Sequence, residues 1–375
     1  MRIAIDIKAL CLNRGGTAVY LRNLLIQLRK IDQINNYFPI TPPGITWDEE
    51  IRSRNIVSKI MCRITELGWT RWGLPVFLNN QKIDLYHTSS MVVSAAISCA
   101  LITTVLDLTP VLFSETHDWK WVWYFRQILN KNCATSTVII VPSENTRADL
   151  FEFLKPPRPP IKVIPLGIDD RFFLPGEYVI KRIEKVKNRF GIARPYIFSV
   201  GTLEPRKNYD LLIDAFQDAH ERELKDYNLV ICGAAGWKYK PILSKMRKYH
   251  DSVIYTGSVD DEELRLLYRG AALFVYPSLY EGFGLPPLEA MASGCPVIAS
   301  DTSSLKEMLQ GSSVLFSPTN REHLKTAMIQ VLQDDDMQKK LIKNGLNCAG
   351  KYRWENTAYE TLQVYKSISR GGSRI

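Results

Sequence analysis

No apolar run in this 375-residue chain reaches the ~18 residues that a membrane-spanning helix needs. The opening Met1-Arg-Ile-Ala-Ile-Asp-Ile-Lys does not read as a secretory leader, because Asp6 and Lys8 interrupt it before an apolar region forms. It reads as a buried strand, and the chain is expected to stay in the cytoplasm. The seven cysteines (Cys11, Cys62, Cys99, Cys133, Cys232, Cys295, Cys348) are odd in number, scattered, and include no CxxC pair. Neither a disulfide framework nor a zinc site is indicated, and free thiols are expected. The sequence has no nucleic-acid-binding motif and no dense Lys/Arg run, so nucleic acid is not an expected partner. Solenoid repeats and low-complexity segments are lacking as well.

What remains is an ordinary globular composition, 46% hydrophobic and 23% charged, at a length that favours two cores over one. The net charge of +9 is unevenly placed: residues 1–190 hold 25 Lys+Arg against 17 Asp+Glu, and the rest hold 23 against 22. A basic first half suits a phosphorylated substrate or an anionic lipid surface.

Short apolar strands alternate with helical stretches. Ile3–Ile7, Ile83–Tyr86, Leu101–Leu106, Thr137–Val141 and Ile161–Pro165 read as strands of the first half. The turn Asn13-Arg-Gly-Gly-Thr-Ala precedes a helix over Tyr20–Leu28, and Ser143 caps another ending at Phe153. After residue 190 the pattern restarts with strands Tyr196–Val200, Asn228–Cys232, Val253–Thr256, Leu273–Tyr276 and Val297–Ser300. Helices over Asn208–Ala219 and Glu262–Tyr268 and a final helical region accompany them. The class is α/β: two Rossmann-like, doubly wound domains facing across a cleft, with a boundary near 172–192 around Pro175 and Gly176.

Chemistry concentrates in Glu281-Gly-Phe-Gly-Leu-Pro-Pro-Leu-Glu289. A glycine-rich loop leaves a strand and Pro286-Pro287 opens a helix, so free N–H groups of Gly282, Phe283, Gly284 and Leu285 offer a site for a diphosphate. Glu281 can accept hydrogen bonds from sugar hydroxyls, and Glu289, one turn into the helix, can clasp a ribose diol. The bland alternative is a loop whose carboxylates merely cap the helix.

The spacing of Glu281 and Glu289 resembles the EX7E signature of the retaining glycosyltransferases of family 4, which have the GT-B fold. Ala290–Ser300, Val200-Gly-Thr-Leu-Glu-Pro-Arg-Lys-Asn208 and Val163-Ile-Pro-Leu-Gly-Ile-Asp169 are similar to segments of that family too. The resemblance covers nearly the whole chain, strongest over 196–310 and weakest over 35–80. It implies an acceptor domain over 1–175, joined by a C-terminal helix at about 355–375, and a donor domain over 192–354. It implies that Glu281 holds the donor sugar, Glu289 the ribose, and Lys207 the diphosphate. The family often places an arginine where Thr202 stands here, which leaves Arg206 to supply the second cation.

In the first domain Gly15-Gly16 matches the glycine turn that approaches the diphosphate and acceptor. Thr103–Pro110 matches a segment that often reads His-Asp, but Leu106 replaces the histidine. Asp107 therefore either orients an acceptor hydroxyl or receives its proton, or it caps the next turn. His87, ending a strand, is a second acceptor-side candidate, with a structural role as its alternative. Val259 and Asp261 follow Gly257, where related enzymes hold the nucleobase; a carboxylate at 261 suits guanine, and Asp260-Asp261 equally suits an N-cap.

An aromatic and basic stretch, Trp119-Lys-Trp-Val-Trp-Tyr-Phe-Arg126, with Trp69, Arg71 and Trp72, either meets a membrane headgroup region or forms a core face. Asp334-Asp-Asp336 reads as a solvated helix cap, and no cofactor or metal is expected. The expected activity is retaining, metal-independent transfer of a hexose, mannose from GDP-mannose, to a glycan or lipid-linked acceptor in surface-polysaccharide assembly. The resemblance implies front-face attack, with the leaving phosphate taking the acceptor's proton. Peripheral inner-membrane association through the basic first domain goes with it. The rivals are another GT-B enzyme, such as a UDP-sugar 2-epimerase or a phosphorylase, and a non-catalytic sugar-nucleotide-binding subunit.

Overall fold

In the computed structural model, residues 1–12, 15–43, 68–89, 97–116, 119–156, 158–173 and 179–370 are described. Asn13 and Arg14 of the glycine turn, Cys62, Pro175-Gly176 of the expected boundary and the Trp121 side chain lie outside them. The chain divides into two compact units, Met1–Leu166 with Trp354–Ile375, and Gly167–Arg353. The division falls at Gly167, ahead of the sequence-based limit of 175, because the segment after it packs in the second unit. Phe172 meets Tyr268 edge-on, and Arg269 donates to the Phe172 carbonyl.

The first sheet has six parallel strands: β1 (Arg2–Asp6), β2 (Asn36–Ile40), β3 (Leu85–Thr88), β4 (Ala100–Thr104), β5 (Val138–Val141) and β6 (Ile161–Val163). Their order is β2-β1-β3-β4-β5-β6. The second sheet comprises β7 (Tyr196–Val200), β8 (Asn228–Cys232), β9 (Val253–Gly257), β10 (Leu273–Tyr276), β11 (Val297–Ser300) and β12 (Val314–Phe316). Its order is β12-β11-β10-β7-β8-β9, again all parallel. The central strands are near-continuous apolar runs because helices cover both faces. Ile197, Phe198, Leu229, Val230, Phe274 and Val275 are all fully buried.

This order puts a topological switch between β7 and β10. The helix Tyr209–His220 follows β7 and leads outward to β8, whereas Leu285–Ala292 follows β10 and leads the other way to β11. A crevice opens at the carboxyl ends of two strands whose connections diverge like this. The residues just after Val200 and Tyr276 therefore line it.

Two further helices fall in the basic and the aromatic stretches. Val179–Phe190, within the stretch expected to hold the boundary, is a helix that packs on Asp261–Gly270. Trp119–Thr135 is a helix whose core face carries Val122, Phe125, Ile128 and Leu129.

Candidate active site

The turn after β7 is a single 3-10 turn, Pro205–Lys207, ended by Asn208 at φ 56°. Asparagine tolerates this left-handed conformation better than most residues, and it stops the turn before the helix Tyr209–His220 begins. Arg206 and Lys207 thus lie ahead of that helix, inside the molecule, and are not a solvated pair on its first turn. Their side chains are only 11% and 10% exposed.

Glu281, after β10, meets them. Its Oε1 accepts from Lys207 Nζ (2.6 Å), Ser278 Oγ (2.6 Å) and Tyr276 OH (3.0 Å), and lies 2.8 Å from Arg206 Nη1. Every one of these donors converges on one oxygen, while among the described residues none donates to Oε2. One oxygen is anchored and the other remains an acceptor. Burial alone would raise the Glu281 carboxyl, but Arg206 and Lys207 overcome it and bring the group down to about 2. Burial lowers the Lys207 ammonium, and Glu281 opposes that shift.

Glu204 completes the cluster, with Oε1 at 2.6 Å from Arg206 Nη2. It is 2% exposed, and burial pushes its carboxyl up against the pull of Arg206 and Lys207. Burying four charged groups is costly unless they are paired. A strand-end crevice that holds two cations against two carboxylates is a site candidate on physical grounds. Glu204, Tyr276 and Ser278 received no role from the sequence, although Glu204 sits within the motif 200–208.

The loop closes on Gly284 at φ 124°, where a Cβ would come within 2.7 Å of Leu305, and the helix Leu285–Ala292 starts there with its two prolines. Gly282 and Phe283 are buried within this loop. Glu289 accepts from Tyr268 OH at 3.0 Å. Tyr268 is held between Phe198 and Phe274, each 5.3 Å away by ring centroids. Burial pushes the Glu289 carboxyl up to about 7, with Tyr268 opposing and Asp261 and Asp169 adding to the rise. Asp260 alone caps Asp261–Gly270, in a capping box with Glu263, which leaves the exposed Asp261 carboxylate outside the cap. Val259 lies half-buried in the same turn.

In the first unit, Gly15 is the N-cap of the helix Gly16–Ile31. Among the described residues nothing lies within 4 Å of where a Gly16 Cβ would stand, so their packing does not demand glycine there. Asp107 is exposed and accepts from the Thr109 N–H at 3.0 Å, so it does cap the turn.

The acceptor-side expectation for His87 is corrected. The ring is 1% exposed, with Nδ1 2.6 Å from Tyr365 OH and Nε2 2.7 Å from Thr104 Oγ1. Burial drops its pKa to about 3, so it is a neutral core histidine with both nitrogens occupied. The core-face reading of the aromatic stretch holds for Phe125, which is buried, and in part for Trp69, but not for Trp119, Trp123 and Trp72, which are 72%, 62% and 66% exposed. Lys120 and Arg71 lie over the Trp119 and Trp72 rings. Among the described residues no helix is long and apolar enough to cross a membrane, and no cluster of His, Cys, Asp or Glu is arranged to hold a metal. Asp334 accepts from the Met337 N–H and caps its helix. Described cysteines are all free thiols.

Residues 14–172 match the model of Glycosyltransferase Family 4, and residues 181–347 match that of Glycosyl transferases group 1. The chain is 29% identical over 296 residues to O-antigen chain mannosyltransferase B of Escherichia coli, covering 78% of this chain and 76% of that protein. It is 32% identical over 200 residues to the serotype-specific mannosyltransferase WbdA of Escherichia coli, covering 51% of this chain and 24% of that protein. Sucrose-phosphate synthase from Thermosynechococcus elongatus superposes with a TM-score of 0.78 at 20% identity, covering 99% of this chain and 100% of that one. Those matches leave little of the chain outside them, and with the paired-sheet architecture they make it a glycosyltransferase of family 4 on the GT-B fold.

Proposed function

We propose that the enzyme moves a hexose, mannose from GDP-mannose, with retention of configuration, onto a glycan or lipid-linked acceptor in surface-polysaccharide assembly. The observation that carries this reading is Glu281, anchored through Oε1 and open at Oε2, beside two buried cations at the β7/β10 switch. Oε2 is suited to sugar hydroxyls. Lys207 and Arg206 are suited to the charge that develops on a departing diphosphate, and the N–H groups at the start of Leu285–Ala292 add to that. Glu289 is suited to the ribose diol and Asp261 to guanine. Asp107 is proposed on the acceptor side, and no cofactor takes part. The names of the Escherichia coli relatives support the choice of sugar, both being mannosyltransferases, and that of the O-antigen chain mannosyltransferase supports the pathway.

The test is turnover of a panel of GDP-, UDP- and dTDP-sugars. Release of GDP from GDP-mannose, rising with an added lipid-linked glycan, is the expected result. Inertness towards the whole panel removes the donor assignment, and 2-epimerisation of a UDP-sugar without acceptor makes the protein a different GT-B enzyme.

Gly16 is proposed to let a ligand approach the backbone. Gly16→Ala is expected to leave the melting temperature unchanged or slightly raised, by up to about 1 kcal/mol of stability. Its kcat/KM is expected to fall by about 100-fold through displaced substrate. Wild-type kinetics in this variant would show that nothing comes close to residue 16.

The exposed Trp119 and Trp123, with Lys120, Arg126 and Lys131 on the same helix, are proposed to seat the basic unit on anionic headgroups. Trp119→Ala/Trp123→Ala is expected to release the protein from vesicles containing anionic lipid while its circular dichroism stays unchanged. Equal partitioning of variant and wild type in a sedimentation assay contradicts this.

A further inference from the structure

The segment Thr302-Ser303-Ser304 holds the Glu281 loop by its side-chain hydroxyls. Thr302 Oγ1 donates to the Leu279 carbonyl at 3.1 Å. Ser303 Oγ accepts the Glu281 N–H at 2.9 Å. Ser304, fully buried, shares its one hydroxyl proton between the carbonyls of Glu281 (2.8 Å) and Phe283 (2.5 Å). Leu305, next in sequence, is the side chain that a Cβ at Gly284 would strike. Consecutive residues at the start of the helix Ser303–Leu309 thus hold the loop at 279, 281, 283 and 284.

Ser303 reaches its partner at φ 45°, in the left-handed region that a non-glycine residue enters at a cost. A helix start has no need of that conformation, and glycine would adopt it more easily. What serine supplies and glycine does not is the oxygen that receives the Glu281 amide. Strain of this kind persists where the surroundings over-determine it, and here they do so from both sides of Glu281.

We infer that Thr302, Ser303 and Ser304 are positioning residues that fix the Glu281 backbone so that its Oε2 faces the donor sugar. Side-chain anchoring of Oε1 sets the carboxylate's rotation, but the depth of the whole residue depends on its peptide groups. The clasp grips those groups on either side of the Cα. The role rests on the reading of Glu281 given above, and it concerns the sugar rather than the diphosphate.

Two variants of the full chain separate the clasp from a plain packing role. Ser303→Gly removes the hydroxyl and relieves the backbone; Ser303→Thr keeps the hydroxyl and worsens the backbone. In Ser303→Gly, hydrogen exchange of the peptide spanning 277–285 is expected to accelerate about tenfold, with the melting temperature not lowered. On GDP-mannose kcat is expected to fall about tenfold, while the Kd for GDP alone stays as in the wild type. Ser303→Thr is expected to melt earlier yet keep most of kcat. Unchanged exchange in Ser303→Gly overturns the clasp whatever the enzyme's substrate. Faster exchange with wild-type kcat, or an equal loss of kcat in both variants, overturns the positioning role. Failure of the wild type to consume any nucleotide-sugar overturns the reading of Glu281 instead, and the exchange result still decides whether the hydroxyls hold the loop.

Discussion

Lys207→Ala is expected to lower kcat by about 100- to 1,000-fold, with a much smaller change in the KM for the donor. The cation acts most strongly where charge develops, on the leaving diphosphate, so its loss falls on the chemical step. The substitution also strips Glu281 of its 2.6 Å partner and leaves Arg206 as the remaining cation beside it. Burial then weighs more heavily on the Glu281 carboxyl, whose pKa rises from about 2 towards the ordinary 4.5. A carboxylate held below its unfolded value contributes stability that is present above pH 4.5 and is lost as pH falls through about 2. Acid unfolding of Lys207→Ala is therefore expected to begin at higher pH than in the wild type. Lys207→Met, which keeps a long side chain against the Tyr276 ring, separates packing from charge. Steady-state kinetics and an acid titration followed by circular dichroism check both parts. A kcat within a few-fold of wild type in either variant removes Lys207 from the chemistry.

Nucleotide affinity is expected to weaken about tenfold between pH 8 and pH 6 through Glu289. The groups facing this carboxyl are Tyr268, which donates to it, and the acids Asp261 and Asp169; Arg171 is paired with Asp169. With its pKa near 7, the group is mostly ionised at pH 8 and about one-tenth ionised at pH 6. A ribose diol needs the ionised form, since both of its hydroxyls then donate. The sign for stability is opposite: a folded pKa above 4.5 contributes stability that is full below 4.5 and is lost as pH rises through about 7. Acidification therefore favours this part of the fold while weakening the ligand. Glu289→Gln is expected to abolish the pH dependence and to bind at pH 8 about tenfold more weakly than wild type. Calorimetric titration with GDP at pH 6, 7 and 8 measures it, and a flat wild-type profile places the ribose elsewhere.

The sequence announced the second sheet well because its central strands are apolar and end in glycine or proline turns. It did not announce β2 and β12. Asn36–Ile40 contains Pro39, which a ladder tolerates at an edge, and Val314–Phe316 is three residues long. Both are edge strands, where burial on two faces no longer writes a continuous apolar run. Glu281 and Lys207 stood out through the family resemblance, and Arg206 as the stand-in for the arginine that Thr202 replaces; the structure brings the three side chains together. Their supports were not legible. Ser303, Ser304 and Tyr268 act across distances in sequence that no periodicity encodes. His87 stayed between two readings because in sequence a histidine at a strand end looks the same whether it faces water or a tyrosine 278 residues away.

The claim on which the rest depends is that the Glu281 cluster receives the donor. A crystal structure of the wild-type protein with GDP bound tests it most directly. Phosphate oxygens are expected within about 3 Å of Lys207 Nζ or the Arg206 guanidinium, with the ribose diol at Glu289 and Oε2 of Glu281 turned to where the sugar belongs. Diphosphate density away from the β7/β10 crevice, with the ion pairs of Glu281 undisturbed and Glu289 empty, would contradict it.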